Sequence, residues 1–163
     1  TRTCVSKGYV TLDERLPVFS QTHNNRGQSH FLEMEKLILK FELDRKQMIS
    51  ANDRLNFKKK AKITKFLRQL AYYEGRNTLL DYFGLPFSEE KPCKVIVWVF
   101  APTNRIYDPP NWSPTSKALL DGLTDAKFWT DDNYHVIKST DFRHGGKSGN
   151  KKYRIELEIV NES

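Results

Sequence analysis

Residues 94–101, KVIVWVFA, decide the fold, because they are almost wholly apolar and rich in β-branched side chains. Such a run predicts a central strand that is buried on both faces. The segment Asn104–Pro110, NRIYDPP, comes next, and its prolines end any strand. The central strand therefore leads into a proline-rich turn that contains Asp108.

Upstream of this run, the chain predicts one more strand and one helix. Residues 36–44, KLILKFELD, alternate strictly between apolar and polar side chains, which is typical of a half-buried strand. From about Phe57 to Glu74 the apolar spacing becomes helical, with lysines on the opposite side. Gly75 is expected to end that helix.

Downstream of the run, a second helix is predicted over residues 113–126, with Ser113 as its N-cap. Two strands follow, at about 134–142 and 152–160, and the glycine-rich basic loop 143–151 is expected to join them as a hairpin. The sequence therefore predicts an α/β (α+β) domain, with two main helices and a mixed sheet in the order β-α-β-α-β-β.

Length and composition indicate one domain without a membrane span. The 163 residues suit a single domain at 34–163, preceded by an extension of unknown role at 1–33, with short strands at 9–12 and 16–19. No apolar run is long enough to cross a membrane. The two cysteines lie far apart in the chain and fit a reducing cytosol, so a cytoplasmic location is expected.

The chain is basic, with 27 lysines and arginines against 20 acidic residues and a net charge of +7. Such a surplus suits an anionic partner, most often nucleic acid, although a lysine-rich helix face is by default simply solvated. The residues expected to contact DNA are Lys58, Lys59, Lys60, Lys62, Lys65, Arg68, Arg54, Arg105, Lys147, Lys151 and Lys152. The only glycine pair lies between strands, not before a helix, so no nucleotide cofactor is expected.

Carboxylates dominate the candidate chemistry. Asp108 closes the central strand, and Asp131 and Asp132 precede the next one. If the two strands are neighbours, three carboxylates meet at one end of the sheet, and their repulsion calls for a cation such as Mg²⁺ or Mn²⁺. Lys117, one or two helical turns away, is then placed to bind a scissile phosphate or to position the attacking water. The alternative is structural, because Asp-Pro and Asp-Asp-Asn are common turn formers.

Residues 117–132, KALLDGLTDAKFWTDD, closely resemble the hallmark segment of the RusA family of Holliday junction resolvases. That family's pattern is an Asp-x-Asp-Asn element, then a Lys-led helix with an Asp-x-Leu, then a turn ending in Asp-Asp. The loop 50–54, SANDR, also resembles the family's Asn-rich loop after the first strand. The likeness covers roughly residues 36–160.

The resemblance implies a homodimeric, Mg²⁺- or Mn²⁺-dependent endonuclease that resolves four-way DNA junctions in a bacterial or phage-infected cell. Matched by position, the implied catalytic residues are Asp108, Lys117 and Asp132. The implied metal ligands are Asp108, Asp131 and Asp132, with possible support from Asn111 and Asp121.

Two features depart from the family pattern: the family's second aspartate falls on Pro110, and three extra residues separate Asn111 from Lys117. Asp121, on the same helix flank as Lys117, or a water molecule is the candidate to replace the lost carboxylate. The departure at Pro110 favours a second hypothesis, in which the protein is a catalytically impaired module that binds DNA junctions or has a regulatory role. A third hypothesis, a purely structural interaction protein, predicts no DNA binding at physiological salt.

Overall fold

The computed structural model describes residues 18–23, 29–81 and 85–163. Its five strands are β1 (Val18–His23), β2 (Ser29–Leu43), β3 (Cys93–Ala101), β4 (Ile137–Lys147) and β5 (Tyr153–Asn161). The two helices are α1 (Phe57–Asp81) and α2 (Ser113–Asp125). Two short 3-10 turns lie at Arg45–Gln47 and Pro109–Trp112. From β2 onward the order is β-α-β-α-β-β, so the predicted mixed α+β fold with two main helices is confirmed.

The strands form a single mixed sheet in the order β1-β2-β5-β3-β4. β3 pairs in parallel with β4 on one edge and antiparallel with β5 on the other. The predicted hairpin between the last two strands is therefore wrong, because β3 lies between them. Residues 143–147, predicted as loop, belong to β4, and only residues 148–152 carry the chain across to β5. The apolar composition of β3 suits a position inside the sheet, where the strand is hydrogen-bonded to a neighbour on each edge.

One face of the sheet builds the core together with the two helices. The register sets Leu39 of β2 opposite Leu157 of β5, and Leu157 opposite Val97 of β3. Because side chains two apart share a face, the alternating residues of these strands line one surface. Leu67 of α1 and Leu119 of α2 pack into the same buried cluster.

The opposite face of β3 is only half buried, so the prediction of burial on both faces is wrong. Trp98 and Phe100 point to this face, where no helix packs among the described residues. Long charged side chains cover them instead. The Trp98 indole Nε1 donates to Glu158 Oε2 at 2.7 Å, and the Arg154 guanidinium lies 4.1 Å from the Phe100 ring centroid. Cation–π contacts of this kind let a charged side chain shield an aromatic surface.

Two glycines set how closely the helices approach each other. A Cβ on Gly122 of α2 would lie 2.2 Å from the carbonyl oxygen of Arg68 on α1. A Cβ on Gly75 of α1 would lie 2.8 Å from the Cβ of Ala126. Gly75 is thus buried inside α1 and does not end it, contrary to the prediction. Packing of the two helices, not local propensity, decides this position.

The start of α2 also differs from the sequence prediction. Ser113 has helical angles (φ −56°, ψ −39°), so Trp112 is the N-cap. The reason is that the 3-10 turn Pro109–Trp112 runs directly into the helix. The Thr115 hydroxyl then ties α2 to the segment after β2, accepting from Ile49 N and donating to Ile49 O, both at 2.8 Å.

The N-terminal segment joins the sheet where it is described. β1 pairs antiparallel with β2, and the boundary expected at residue 34 falls within β2. The strand expected at 9–12 and the first half of that at 16–19 lie outside the described residues. Neither α1 nor α2 is long and apolar enough to cross a membrane.

Candidate active site

Lys117 stands between two carboxylates on the exposed side of α2. Its Nζ lies 3.0 Å from Asp121 Oδ1, one helical turn along, and 3.2 Å from Asp132 Oδ2 in the turn after the helix. Hydrogen bonds to Asp121 and then Asp132 raise the pKa of Lys117 above its usual value, so the ammonium stays charged. We call these three residues the Lys117 cluster.

Asp131 is held inside its own turn. Its Oδ1 accepts from the backbone N–H of Asp132 at 2.8 Å, and its Oδ2 accepts from Asn133 Nδ2 at 2.9 Å. The Asn133 Oδ1 in turn accepts from the N–H of His135. Asp131 therefore acts as a turn former, the structural alternative, because both of its carboxylate oxygens have hydrogen-bond partners in the turn. The same turn places Asp132 next to Lys117.

Asp108 lies in a different part of the molecule, at the start of the Pro109–Trp112 turn. Its backbone is extended (φ −91°, ψ 118°), and its carbonyl accepts from Asn111 N at 2.9 Å. Its exposed side chain makes no capping hydrogen bond to the turn. Asp108 and Asn111 line a cleft of about 470 Å³, formed mainly by the loop 50–53 and the segment 105–112. We call this space the Asp108 cleft.

The Asp108 cleft is built around the loop that resembles the family's Asn-rich loop. Asp53 accepts from Ser50 N at 2.9 Å and binds Arg45 Nη2 at 2.7 Å. Burial acts to raise the pKa of Asp53, but the hydrogen bonds from Arg45 and Ser50 lower it overall. The guanidinium of Arg45 also lies 4.9 Å from the ring centroid of Trp112. A bond from Ala51 N to Asn111 O, 2.7 Å, joins the loop to the opposite wall.

The three predicted metal ligands do not meet at one end of the sheet. β3 and β4 are neighbours, as that prediction required, but they run parallel, with Cys93 opposite Ile137 and Ala101 opposite Lys147. Asp108 follows the end of β3 by seven residues, and Asp132 precedes the start of β4 by five, so each belongs to a connecting segment and not to the paired strands. Over the described ranges, no group of three or more His, Cys, Asp or Glu side chains is arranged to hold a metal ion.

The basic residues expected to contact DNA lie in three places. Lys58, Lys59, Lys60, Lys62 and Lys65 are exposed along α1, and Arg54 is exposed just before that helix. Arg105 lines the Asp108 cleft, and Lys147, Lys151 and Lys152 lie at the far end of β4 and in the loop to β5. All are on the surface or partly exposed, which leaves their expected role open to test.

Arg68 is an exception among these basic residues. Its Nε and Nη2 bind the two carboxylate oxygens of Asp125, the second at 2.8 Å. The hydrogen bond to Asp125 raises the pKa of Arg68, and the same contact lowers that of Asp125. Arg68 therefore links α1 to α2, and its fork of donors is already used by a carboxylate.

Sequence reasoning missed a pair of aromatic residues beside the Asp108 cleft. The Tyr107 hydroxyl donates to Val99 O at 3.2 Å and is hydrogen-bonded to His144 Nδ1. Burial raises the pKa of Tyr107 to about 12, so the phenol stays protonated. The two residues are 37 positions apart and are in contact only because β3 and β4 pair in parallel. No local sequence pattern predicts such a contact.

No protein-family model matches the chain, and no curated protein matches it. The likeness to RusA resolvases therefore remains an interpretation of the residues themselves.

Proposed function

We propose that this protein is a metal-dependent, structure-selective endodeoxyribonuclease that resolves four-way DNA junctions by paired phosphodiester cleavage. The observation that carries the proposal is the Lys117 cluster. Residues that resemble the family's hallmark in sequence are also in contact in space, with Lys117 joined to Asp121 and Asp132. The two carboxylates share one ammonium on an exposed surface, where a phosphate can reach Lys117.

The donor chemistry of the cluster suits Mg²⁺ or Mn²⁺, which prefer oxygen ligands. Each carboxylate offers about four acceptor positions, so the single contact to Lys117 leaves Asp121 and Asp132 able to bind a cation. Asp131, next to Asp132 in the turn, and Asp108, in the separate Asp108 cleft, are the further predicted ligands, and Asp121 is proposed to stand in for the carboxylate missing at Pro110. A bound divalent ion supplies an activated water and charge neutralisation at the phosphate.

Lys117 is proposed to bind a non-bridging oxygen of the scissile phosphate. Its ammonium is charged at neutral pH and its side chain is 65% exposed, so it can leave its carboxylate partners for a phosphate. Asn111, in the wall of the Asp108 cleft, is proposed to help orient the DNA strand. Arg105, beside it, provides a second cation for the backbone.

The exposed basic residues support the proposed DNA path. Lysines along the first turns of α1 and around the β4–β5 loop lie on the surface, where phosphates can reach them. Such contacts hold DNA in position without reading its sequence, and they make binding depend steeply on salt. Binding that hardly changes between low and high salt would contradict this assignment.

A homodimer in the cytoplasm of a bacterial or phage-infected cell completes the proposal. A junction needs two symmetric cuts, and a twofold dimer presents two identical sites.

A second candidate function is a catalytically impaired module that binds junctions without cutting them. Two observations favour it. Pro110 occupies the position of a family aspartate, and the described residues include no ready group of three metal-binding side chains. Both candidates predict junction binding, and only the first predicts a metal-dependent product.

The test is cleavage of a labelled four-way junction in Mg²⁺, Mn²⁺ and EDTA, with a linear duplex as substrate control. Asp132→Asn is compared with Asp125→Asn, which changes an aspartate of the same region that is engaged by Arg68. We expect paired nicks that need metal, vanish in Asp132→Asn and persist in Asp125→Asn. Tight binding without product in either metal would favour the impaired module. Absence of junction binding at physiological salt would instead favour a structural interaction protein.

A further inference from the structure

The loop between β3 and α2 exposes an apolar side chain. Of the large hydrophobic side chains in residues 36–79 and 85–163, Ile106 is the most exposed, at 94%. It lies two residues before Asp108 and next to Arg105. Single exposed apolar residues are common on protein surfaces, so the exposure of Ile106 is significant only together with its surroundings.

Ile106 projects from a loop that is fixed at its base. The neighbouring Tyr107 turns inward, where its hydroxyl donates to Val99 O on β3 and meets His144 on β4. The Tyr107 and His144 rings also pack edge to face, with centroids 5.3 Å apart. Because Tyr107 is anchored to two strands, the side chain before it is held outward.

Two clefts share the loop that carries Ile106. The first is the Asp108 cleft, and the second, about 260 Å³, includes Asn104 and His144; we call it the His144 cleft. Thr103, Arg105, Ile106 and Tyr107 line both. Amide, imidazole and guanidinium groups in these walls offer the donors and acceptors that base edges and phosphates require.

We propose that Ile106 is a wedge that inserts between two bases at the centre of the junction, while the adjoining clefts receive the displaced nucleotides. The inference rests on the proposed function and adds a strand-opening step to it. Apolar side chains, isoleucine among them, enter base steps in this way, partly unstacking them. Junction centres suit such entry, because base pairs at the branch point belong to arms that can separate.

The polar setting of Ile106 favours DNA over a protein partner. A protein interface needs a contiguous apolar patch, whereas Thr103, Asn104, Arg105 and Asp108 surround this side chain along the chain. Arg105 is placed beside the wedge to bind the phosphate of the opened step.

The test is fluorescence of 2-aminopurine placed at the branch point of a four-way junction, recorded in EDTA so that cleavage plays no part. Binding of the unaltered protein should raise the fluorescence several-fold, because unstacking relieves quenching. Ile106→Ser should bind with nearly the same affinity, since phosphate contacts dominate binding, yet abolish most of the rise. Ile106→Leu should restore it. Tyr73→Ser, which removes a large aromatic side chain that is 67% exposed on α1, should behave as the unaltered protein does.

The outcomes separate this inference from the proposed function. An equal rise with Ile106→Ser, or junction binding by the unaltered protein with no rise, would overturn the wedge and leave the nuclease proposal standing. Failure of the unaltered protein to bind the junction would overturn both. A rise that survives moving the probe from the branch point into an arm would also count against a wedge at the junction centre.

Discussion

The Lys117 cluster and the Asp108 cleft hold the two halves of the candidate site, and they differ in how charge is balanced. In the cluster, one ammonium lies between the carboxylates of Asp121 and Asp132, within 3.2 Å of each. In the cleft, the exposed Asp108 shares its walls with Arg45, Asp53 and Arg105, and Arg45 is bound by Asp53. The first half thus has two carboxylates around one cation, and the second has two carboxylates and two guanidinium groups. Oxygen ligands for a cation are in excess in the first half, whereas Arg105 of the second is a cation that a phosphate can approach.

The halves also differ in what holds them in place. Asp121 and Lys117 are neighbours on one helix, and a short turn brings Asp132 to them, so nearby sequence suffices. Asp108 is positioned by the end of β3, and its cleft is closed by a loop more than 50 residues earlier, through the bond from Ala51 to Asn111. The difference teaches that the motif with the strongest sequence signal is the one that depends least on tertiary structure.

The largest expected effect tests whether the two halves act as one centre. Asp108→Asn and Asp132→Asn should each slow junction cleavage by roughly 100-fold or more, the usual scale for a lost catalytic group. If both serve one reaction centre, the double variant should be hardly slower than the slower single variant. Single-turnover cleavage rates at saturating protein provide the measurement. Fully multiplicative losses would separate Asp108 from the Lys117 cluster.

A smaller effect tests how closely α2, which carries Lys117 and Asp121, packs against α1. Gly122→Ala sets a Cβ 2.2 Å from the backbone oxygen of Arg68, so the helices must move apart. We expect a loss of about 2–3 kcal/mol in the free energy of unfolding, exceeding the gain of about 1 kcal/mol in helix propensity. Urea denaturation measures it. Gly75→Ala, whose Cβ meets side chains at 2.8 and 3.0 Å, should cost less. Unchanged stability of Gly122→Ala would contradict the close helix crossing.

The smallest effect concerns the charge of Lys117. Its folded pKa is raised above 10.5 by Asp121 and Asp132, so the stabilisation is fully present below about 10.5 and is lost as pH rises through the raised value. The contribution is small, because the side chain is 65% exposed. Nuclear magnetic resonance titration of the Lys117 side chain should show a pKa that falls in Asp121→Asn. The stability difference between the unaltered protein and Lys117→Met should shrink at high pH. An identical pKa in Asp121→Asn would mean that the ion pair does not form in solution.

Much of the fold follows from sequence because period and composition are local properties. Strict alternation at 36–44 and the apolar run at 94–101 both correspond to strands, β2 and β3. The prediction at Gly75 was wrong because glycine is favoured both at a helix end and at a close contact between helices. Gly75 lies at the contact between α1 and α2. The prediction of a hairpin was wrong because two strands that follow each other in the sequence need not be neighbours in the sheet.

The candidate site shows the same limit. The contact of Lys117 with Asp121 follows from helical spacing, and the turn at Asp131 follows from its residues. The prediction that Asp108 joins them depended on strand direction, which no local pattern encodes. The contact between Tyr107 and His144, and with it the fixed base of the Ile106 loop, was equally out of reach.

By itself, the sequence determined the types and order of the elements, the basic charge and the spacing that makes the Lys117 cluster. The element types and the Lys117 cluster depend on residues close in sequence, where backbone geometry decides which side chains can make contact, and the charge follows from composition alone. Only the tertiary structure decided that β3 lies between β4 and β5, that β3 and β4 are parallel, and that Arg68 is engaged by Asp125. Those choices are made by burying one shared core, so they depend on all the elements at once and not on any one of them.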